Sequence, residues 1–337
     1  VRNVIRLVLI GFGNIGRKVF MLTRDSQEFE VVGIVTRDPA RVRHDIGDQI
    51  PVYGFLDLSW VGSADVAINC GGSAKDLPNS GPWVAERVSC VDSYDTHAHV
   101  GGFIEKLTGL PNVGYFRTMD LASKATGHTA LVCQGWDPGL FSTIRGIFQS
   151  SLGGDIRAYA FYGLSQRGGL SMGHSDAIRQ IEGVVDARQF THAIPEAIDR
   201  VRSGENPIFE LGEMHRRKCY VTIADDFDKE EIRRQIVTMP DYFQPFETTV
   251  EFLSLDELRN RFPDMPHDGL VIAKSENGLM EFRVEWKSNP LATAGILLSC
   301  ARAAVRMNRA GQFGAFSPLS VPIDLLLPEG TNPLSLV

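Results

Sequence analysis

An α/β chain is predicted, with an N-terminal doubly wound parallel sheet followed by an α+β part carrying a mostly antiparallel, open sheet. Three observations predict it. Residues 5–10 (I-R-L-V-L-I) form a short apolar run, rich in β-branched residues, that stops at Gly11 as a strand buried on both faces does. Helical spacing follows at once, with Ile15, Val19 and Leu22 on one face of a helix running to about Asp25, and 30–36 (E-V-V-G-I-V-T) is the next strand. After about residue 150 the texture changes to longer alternating runs, which suit antiparallel strands.

The remaining elements follow in order. Strands are predicted at 64–70, 88–91 and 128–133, separated by helical segments at 98–107 and 117–125, and this alternation argues for a parallel sheet. The second texture supplies strands at 156–162, 216–223, 246–253, 268–274 and 279–287. Residues 291–309 follow Pro290 at a helix start and carry an apolar face with arginines near the end, which makes them the clearest long helix. A chain of 337 residues exceeds one typical core. Two domains are therefore expected: a dinucleotide-binding domain over 1–135, completed by 290–337, and a substrate-binding and dimerisation domain over 136–289.

Composition narrows the class of function. Hydrophobic residues at 43% and charged residues at 22% describe a folded globular protein rather than a disordered one. The net charge of −7 is spread along the chain, and no Lys/Arg run suggests a nucleic-acid groove or a membrane face. Small-molecule partners are expected. The five cysteines are odd in number and lack C-x-x-C spacing, so they read as buried thiols in a reducing compartment. With no charged-then-apolar leader and no apolar stretch near the ~20 residues of a membrane span, a cytoplasmic location is expected.

The sequence G-F-G-N-I-G at 11–16 sits between the first strand and the first helix, where a Rossmann-type dinucleotide fingerprint belongs. Gly11 makes the tight turn, Gly13 lets the backbone approach a pyrophosphate, and Gly16 permits close helix packing; Asn14 and Ile15 complete the loop. The second strand ends in Thr36-Arg37-Asp38. Thr36 and Arg37 suit the 2′-phosphate of NADP, whereas Asp38 carries the alternative of NAD. Arg17 either assists or is a solvated first-turn side chain.

Two acidic stretches, V-D-S-Y-D-T-H at 91–97 and Q-G-W-D-P-G at 134–139, lie where strands should end. Open α/β sheets bind ligands at those ends, so Asp92, Asp95 and Asp137 are placed to face one, unless they cap their own loops. Asp95, His97 and His99 suggest a metal, but no Cys or Glu nearby completes a set and hydride chemistry needs none. No metal is expected.

Taken in order, G-F-G-N-I-G-R, C-G-G-S-A-K-D-L-P, V-D-S-Y-D-T-H, G-W-D-P-G-L-F-S, M-G-H-S-D-A-I-R, T-M-P-D-Y-F, M-P-H-D-G and S-N-P resemble the meso-diaminopimelate dehydrogenase family over almost the whole chain. The resemblance implies reversible, NADP-dependent oxidative deamination at the D-centre of meso-2,6-diaminopimelate, with release of ammonia, by a homodimer. It implies that Gly72, Ser73 and Asp92 join the cofactor site. Asp95, Trp136 and Asp137 fall beside the reacting D-centre, and Asp176, Thr191, Arg217, His267 and Asn289 hold the substrate's amino and carboxylate groups. These types suit a substrate with two carboxylates and two ammonium groups. Asp95 or Asp137 is the expected proton acceptor.

One stretch departs from the pattern. Where the family reads G-L-S-Q before G-H-S-D-A, this chain reads G-L-S-Q-R-G-G-L-S-M at 163–172. Either Met172 stands at the polar Gln position or Gln166 is threaded back to it. Met172 is preferred because it is contiguous with Gly173-His174-Ser175-Asp176, and the substrate range is then expected to be looser.

Overall fold

The computed structural model describes residues 4–73, 75–96, 100, 114–240 and 242–337. His97, His99 and nearly all of the helix expected over 98–107 lie outside them. The chain divides into two units, residues 1–143 with 290–337 and residues 144–289. The boundary thus falls at 143/144 rather than at the expected 135/136.

The first unit begins with β1 (Ile5–Ile10), in which Leu7 and Leu9 face one side while Val8 and Ile10 face the other, all four shut off from solvent. Residues 7–10, apolar at every position, are what a strand covered on both faces requires, while Arg6 stays exposed. The chain continues through α1 (Asn14–Thr23), β2 (Phe29–Val35), α2 (Pro39–Ile46), β3 (Val52–Tyr53), β4 (Val66–Asn69), α3 (Leu77–Ala85) and β5 (Cys90–Asp92). Then come α4 (Tyr115–Thr126), β6 (Thr129–Leu131) and α5 (Leu140–Leu152), which runs across the 143/144 boundary into the second unit. Gly127 closes α4 in the left-handed region at φ 72°, where a Cβ is disfavoured.

The second unit holds β7 (Tyr159–Tyr162), β8 (Gly169–Ser171), α6 (Met172–Arg179), β9 (Val184–Ala193), α7 (Pro195–Arg202), α8 (Leu211–Met214) and β10 (His215–Ile223). After these stand α9 (Lys229–Val237), β11 (Thr248–Phe252), α10 (Leu255–Arg261), β12 (His267–Ser275) and β13 (Gly278–Trp286). Its strands form two sheets instead of the single one expected. One has the order β11-β10-β9-β8, with β10 and β11 parallel and the other pairs antiparallel; the other has the order β13-β12-β7 and is antiparallel throughout.

The 21-residue helix α11 (Asn289–Arg309) then carries the chain back to the first unit, where β14 (Gly314–Phe316) adds the last strand. All pairs of that sheet are parallel, in the order β14-β6-β5-β4-β1-β2-β3. Its two faces bury separate clusters, one against Leu297, Ala301 and Ala304 of α11, the other against Leu77 and Val84 of α3 and Met119 of α4. Sheets covered on both sides are how crossover helices satisfy a parallel ladder. Among the described residues no helix is long and apolar enough to cross a membrane.

The longest strand of the second unit, β9, had no counterpart among the expected strands. Its most buried stretch contains Gln189 and Thr191 beside Ala187 and Phe190, so polar residues sit where alternation would demand apolar ones. Polar side chains buried in a sheet cost stability unless they are hydrogen-bonded, and these sit at a site.

Candidate functional site

In the first unit the loop after β1 has the geometry of a phosphate cradle. Gly11 has φ +93°, and a Cβ on Gly16 would stand 2.4 Å from the carbonyl oxygen of Gly11, so neither position admits a side chain cheaply. Gly13 is the N-cap of α1 and offers no side-chain cap, while a Cβ there would meet nothing within 4 Å. The first N–H groups of α1, including those of Asn14, Ile15 and Gly16, therefore have no side chain capping them and favour an anion.

At the end of β2 the three candidate residues take different roles. The Asp38 carboxylate caps α2 by accepting from the Arg41 N–H at 3.0 Å, which engages it within the protein. Thr36 is buried and its hydroxyl accepts from the Asp38 N–H at 3.3 Å. The Arg37 side chain is 80% exposed and rests 3.4 Å from Asp76. Asp76 also accepts from the Gly72 N–H at 3.0 Å, so it ties Arg37 to the loop after β4. Arg17 pairs with Asp45 at 2.5 Å and lies over the Phe12 ring, which makes it part of the protein's own packing.

The Asp92 side chain, expected at the cofactor, is engaged within the protein. It is 1% exposed; one carboxylate oxygen accepts from the Tyr94 and Cys133 N–H groups and the other from the Tyr115 hydroxyl at 2.6 Å. Burial raises its pKa, opposed by the Tyr115 hydroxyl and the two N–H donors. Its carbonyl takes the Gln134 N–H at 2.7 Å, and a Cβ on Gly135 would lie 3.5 Å from that of Ser93. Asp92 thus laces together the loops after β5 and β6, which carry Asp95 on one side and Trp136 and Asp137 on the other. The Asp95 N–H donates to the Ser73 hydroxyl at 3.1 Å, joining the loop after β4 to the same group. Trp136 is buried edge-on to Phe141 at 5.0 Å.

The second unit holds the other cluster. Arg217 on β10 and Thr191 on β9 are register partners, and the Arg217 Nη1 donates to the Thr191 hydroxyl. The guanidinium lies 4.1 Å over the Phe246 ring, its Nε has no partner, and burial pulls its pKa down to about 10. No carboxylate pairs with it among the described residues. A buried cation without a counter-ion is unfavourable by itself and draws an anion.

Beside it, His267 donates its Nδ1–H to the Asp268 carbonyl, 3.0 Å away, and burial lowers its pKa to about 4. A Cβ on Gly169 would stand 2.5 Å from that ring. Asn289 donates to the Leu170 carbonyl at 3.2 Å. Met172 opens α6 against the Leu170, Phe190 and Tyr220 cluster, with Gly173 next and the exposed Asp176 one turn on, 3.4 Å from Arg179. Gln166 is exposed in the turn that the Gly168 N–H closes onto the Ser165 carbonyl.

Several supporting residues carry no sequence signal of their own, even where, like Asp268 and Asp76, they stand inside a quoted motif. Asp268 accepts from the Leu164 and Ser165 N–H groups at 2.8 and 3.0 Å and so holds the G-L-S turn. His215 stacks on Tyr162 at 5.0 Å, accepts the Tyr162 N–H through Nε2, and is driven down to about 3 by burial and by the charge of Arg217. It is a neutral neighbour that adds no second charge beside the guanidinium. Asp76, Gln189 and Phe246 are of the same kind.

These two sites agree with what the chain is similar to. The Diaminopimelic acid dehydrogenase C-terminal domain matches residues 135–288. The meso-diaminopimelate D-dehydrogenase of Lysinibacillus sphaericus is 38% identical over 339 residues, covering 98% of both chains. Among solved structures, the DAP dehydrogenase of Corynebacterium glutamicum in complex with DAP superposes with a TM-score of 0.85 at 34% identity, covering 98% of this chain and 97% of the other. An engineered D-amino acid dehydrogenase bound to NADP+ gives 0.86 at 33% identity, covering 99% and 98%. At this identity over nearly the full length, the chain belongs to the meso-diaminopimelate D-dehydrogenase family.

Proposed function

We propose that this enzyme carries out the NADP-dependent, reversible oxidative deamination of meso-2,6-diaminopimelate at its D-centre, giving L-2-amino-6-oxopimelate, which cyclises to tetrahydrodipicolinate, and ammonia. The observation that carries the reading is Arg217: a buried guanidinium without a carboxylate partner among the described residues, flanked by hydroxyl, amide and imidazole groups, fits a substrate that brings its own distal carboxylate.

The glycine loop at 11–16 and Arg37 fit the dinucleotide, because the cradle excludes side chains and Asp38 is committed to its helix. NADP held there supplies the hydride acceptor. Arg217 and Thr191 take the distal carboxylate, with His267 and Asn289 beside them and Asp176 available to the distal ammonium. Trp136 walls the reacting end. Once hydride has left the D-centre carbon, water adds to the iminium carbon and gives its proton to Asp95 or Asp137. The nitrogen then takes a proton back, the C–N bond breaks to release ammonia, and the hydroxyl proton left on the new carbonyl oxygen passes to the same carboxylate. The proposal includes a homodimer formed through the second unit and a cytoplasmic setting, which suits five unpaired thiols.

The test is spectrophotometric. Purified protein with meso-diaminopimelate and NADP should form NADPH and ammonia in equal amounts. LL-diaminopimelate, which lacks a D-centre, should be inert. Turnover of both isomers at equal rates would rule out the assigned stereocentre.

A further inference from the structure

The distal seat is built from more than its front row. The Thr191 hydroxyl accepts two hydrogen bonds, from the Arg217 Nη1 and from the Gln189 Nε2 at 3.4 Å. With both lone pairs engaged, its own hydrogen points at neither donor and must go to a third atom. No acceptor for it is present among the described residues. An anion beside Arg217 is the acceptor that this arrangement awaits.

Gln189 itself is fully buried, with its backbone N–H on the Ser175 hydroxyl and its Oε1 unpartnered. A buried amide with one idle oxygen is costly, and the hydrogen bond to Thr191 is the one its side chain makes among the described residues. On the other side, the Phe246 ring lies beneath the guanidinium, 4.1 Å from it. Its loop is anchored twice: the Arg217 N–H donates to the Glu247 carbonyl at 2.8 Å, and a Cβ on Gly212 would stand 2.3 Å from the Pro245 carbonyl oxygen. The ring is therefore a fixed platform that stops the guanidinium from turning about its long side chain.

We propose that Gln189 and Phe246 are positioning residues for the distal carboxylate, Gln189 by directing the Thr191 hydroxyl outward and Phe246 by fixing the plane of Arg217. This rests on the function proposed above. Both act on binding that is the same in the ground and transition states, so they should move KM and leave kcat alone.

The experiment measures steady-state constants on the full-length protein, with pimelate, the substrate skeleton without its amino groups, as a competitive inhibitor. Gln189→Met keeps length and removes the amide donor; Phe246→Leu removes the ring, and Phe246→Tyr restores it. Gln189→Met and Phe246→Leu should each raise KM for diaminopimelate and the Ki of pimelate in parallel, about fivefold, the size of one neutral hydrogen bond. The kcat and the KM for NADP should stay within about twofold. Phe246→Tyr should match the wild type. If Gln189→Met does not fold, the isosteric Gln189→Glu replaces it, with a larger rise in both constants expected because its carboxylate competes for Arg217. Unchanged constants, a fall in kcat at constant KM, or a matching rise in the KM for NADP would overturn the inference. A wild type that does not oxidise diaminopimelate would instead overturn the function beneath it.

Discussion

At the scale of single residues, charge placement separates the groups that bind from those that pack. Arg217→Met leaves the substrate carboxylate facing an apolar chain. A charged hydrogen bond contributes about 1.5–3 kcal/mol, so kcat/KM for diaminopimelate should fall about 10- to 150-fold, while D-alanine, which has no distal group, should be far less affected. Met172→Gln works in the opposite direction. An amide there donates and accepts where the thioether is a weak acceptor, and the preference for diaminopimelate over D-alanine should widen about fivefold. Its place at the start of α6, with Gly173 and Asp176 following, supports Met172 over the exposed Gln166. If Gln166→Met alters the ratio and Met172→Gln does not, the assignment is reversed. At the other site, Arg37→Ala should weaken NADP about 10-fold or more and leave NAD nearly unchanged, as read from the ratio of their catalytic efficiencies.

At the scale of elements, short loops between parallel strands are positioned by a few polar ties. Gly16→Ala forces a Cβ against a carbonyl oxygen of the preceding turn, and backbone cannot yield as a side chain can. NADP affinity should drop sharply in a protein that still folds, which isothermal titration would show alongside an unchanged far-UV spectrum. Asp92→Asn keeps its amide oxygen on the Tyr94 and Cys133 N–H groups but puts an NH2 where the Tyr115 hydroxyl donates. Loss of that charged acceptor should cost about 1.5–3 kcal/mol in the first unit and loosen the loops bearing Asp95 and Asp137, lowering kcat. Denaturant melts reporting no destabilisation would remove Asp92 from this role.

At the scale of the whole molecule, pH should act on the second unit through its buried histidines. His215 falls from 6.5 to about 3 and His267 from 6.5 to about 4, both chiefly through burial. The unfolded chain then binds protons that the folded chain refuses, so their stabilisation is complete above about 6.5 and is lost as pH falls toward the folded values. Each can contribute a slope of up to about 1.4 kcal/mol per pH unit in that window. Denaturation midpoints should fall steadily from pH 7 to 5, and His215→Phe should flatten the decline. A midpoint constant over that range would mean that neither ring is held neutral by the fold.

The sequence alone determined the parallel sheet, the dinucleotide loop and the family. Each rests on local chemistry: an apolar run for β1, a glycine at positive φ at Gly11 and one where no Cβ fits at Gly16, and contiguous motifs around Asp95, Asp137 and Asp176. Tertiary structure decided what periodicity cannot express. Strand β9 was hidden because Gln189 and Thr191 are polar at buried positions, and the division of the second unit into two sheets follows from strand pairings far apart in the chain. Arg217 is one of two adjacent arginines in sequence, yet Arg216 pairs with Glu247 at the surface while Arg217 turns inward. Only the pleat, which sends successive side chains to opposite faces of the sheet, makes one of them a solvated charge and the other the buried cation proposed to hold the distal carboxylate.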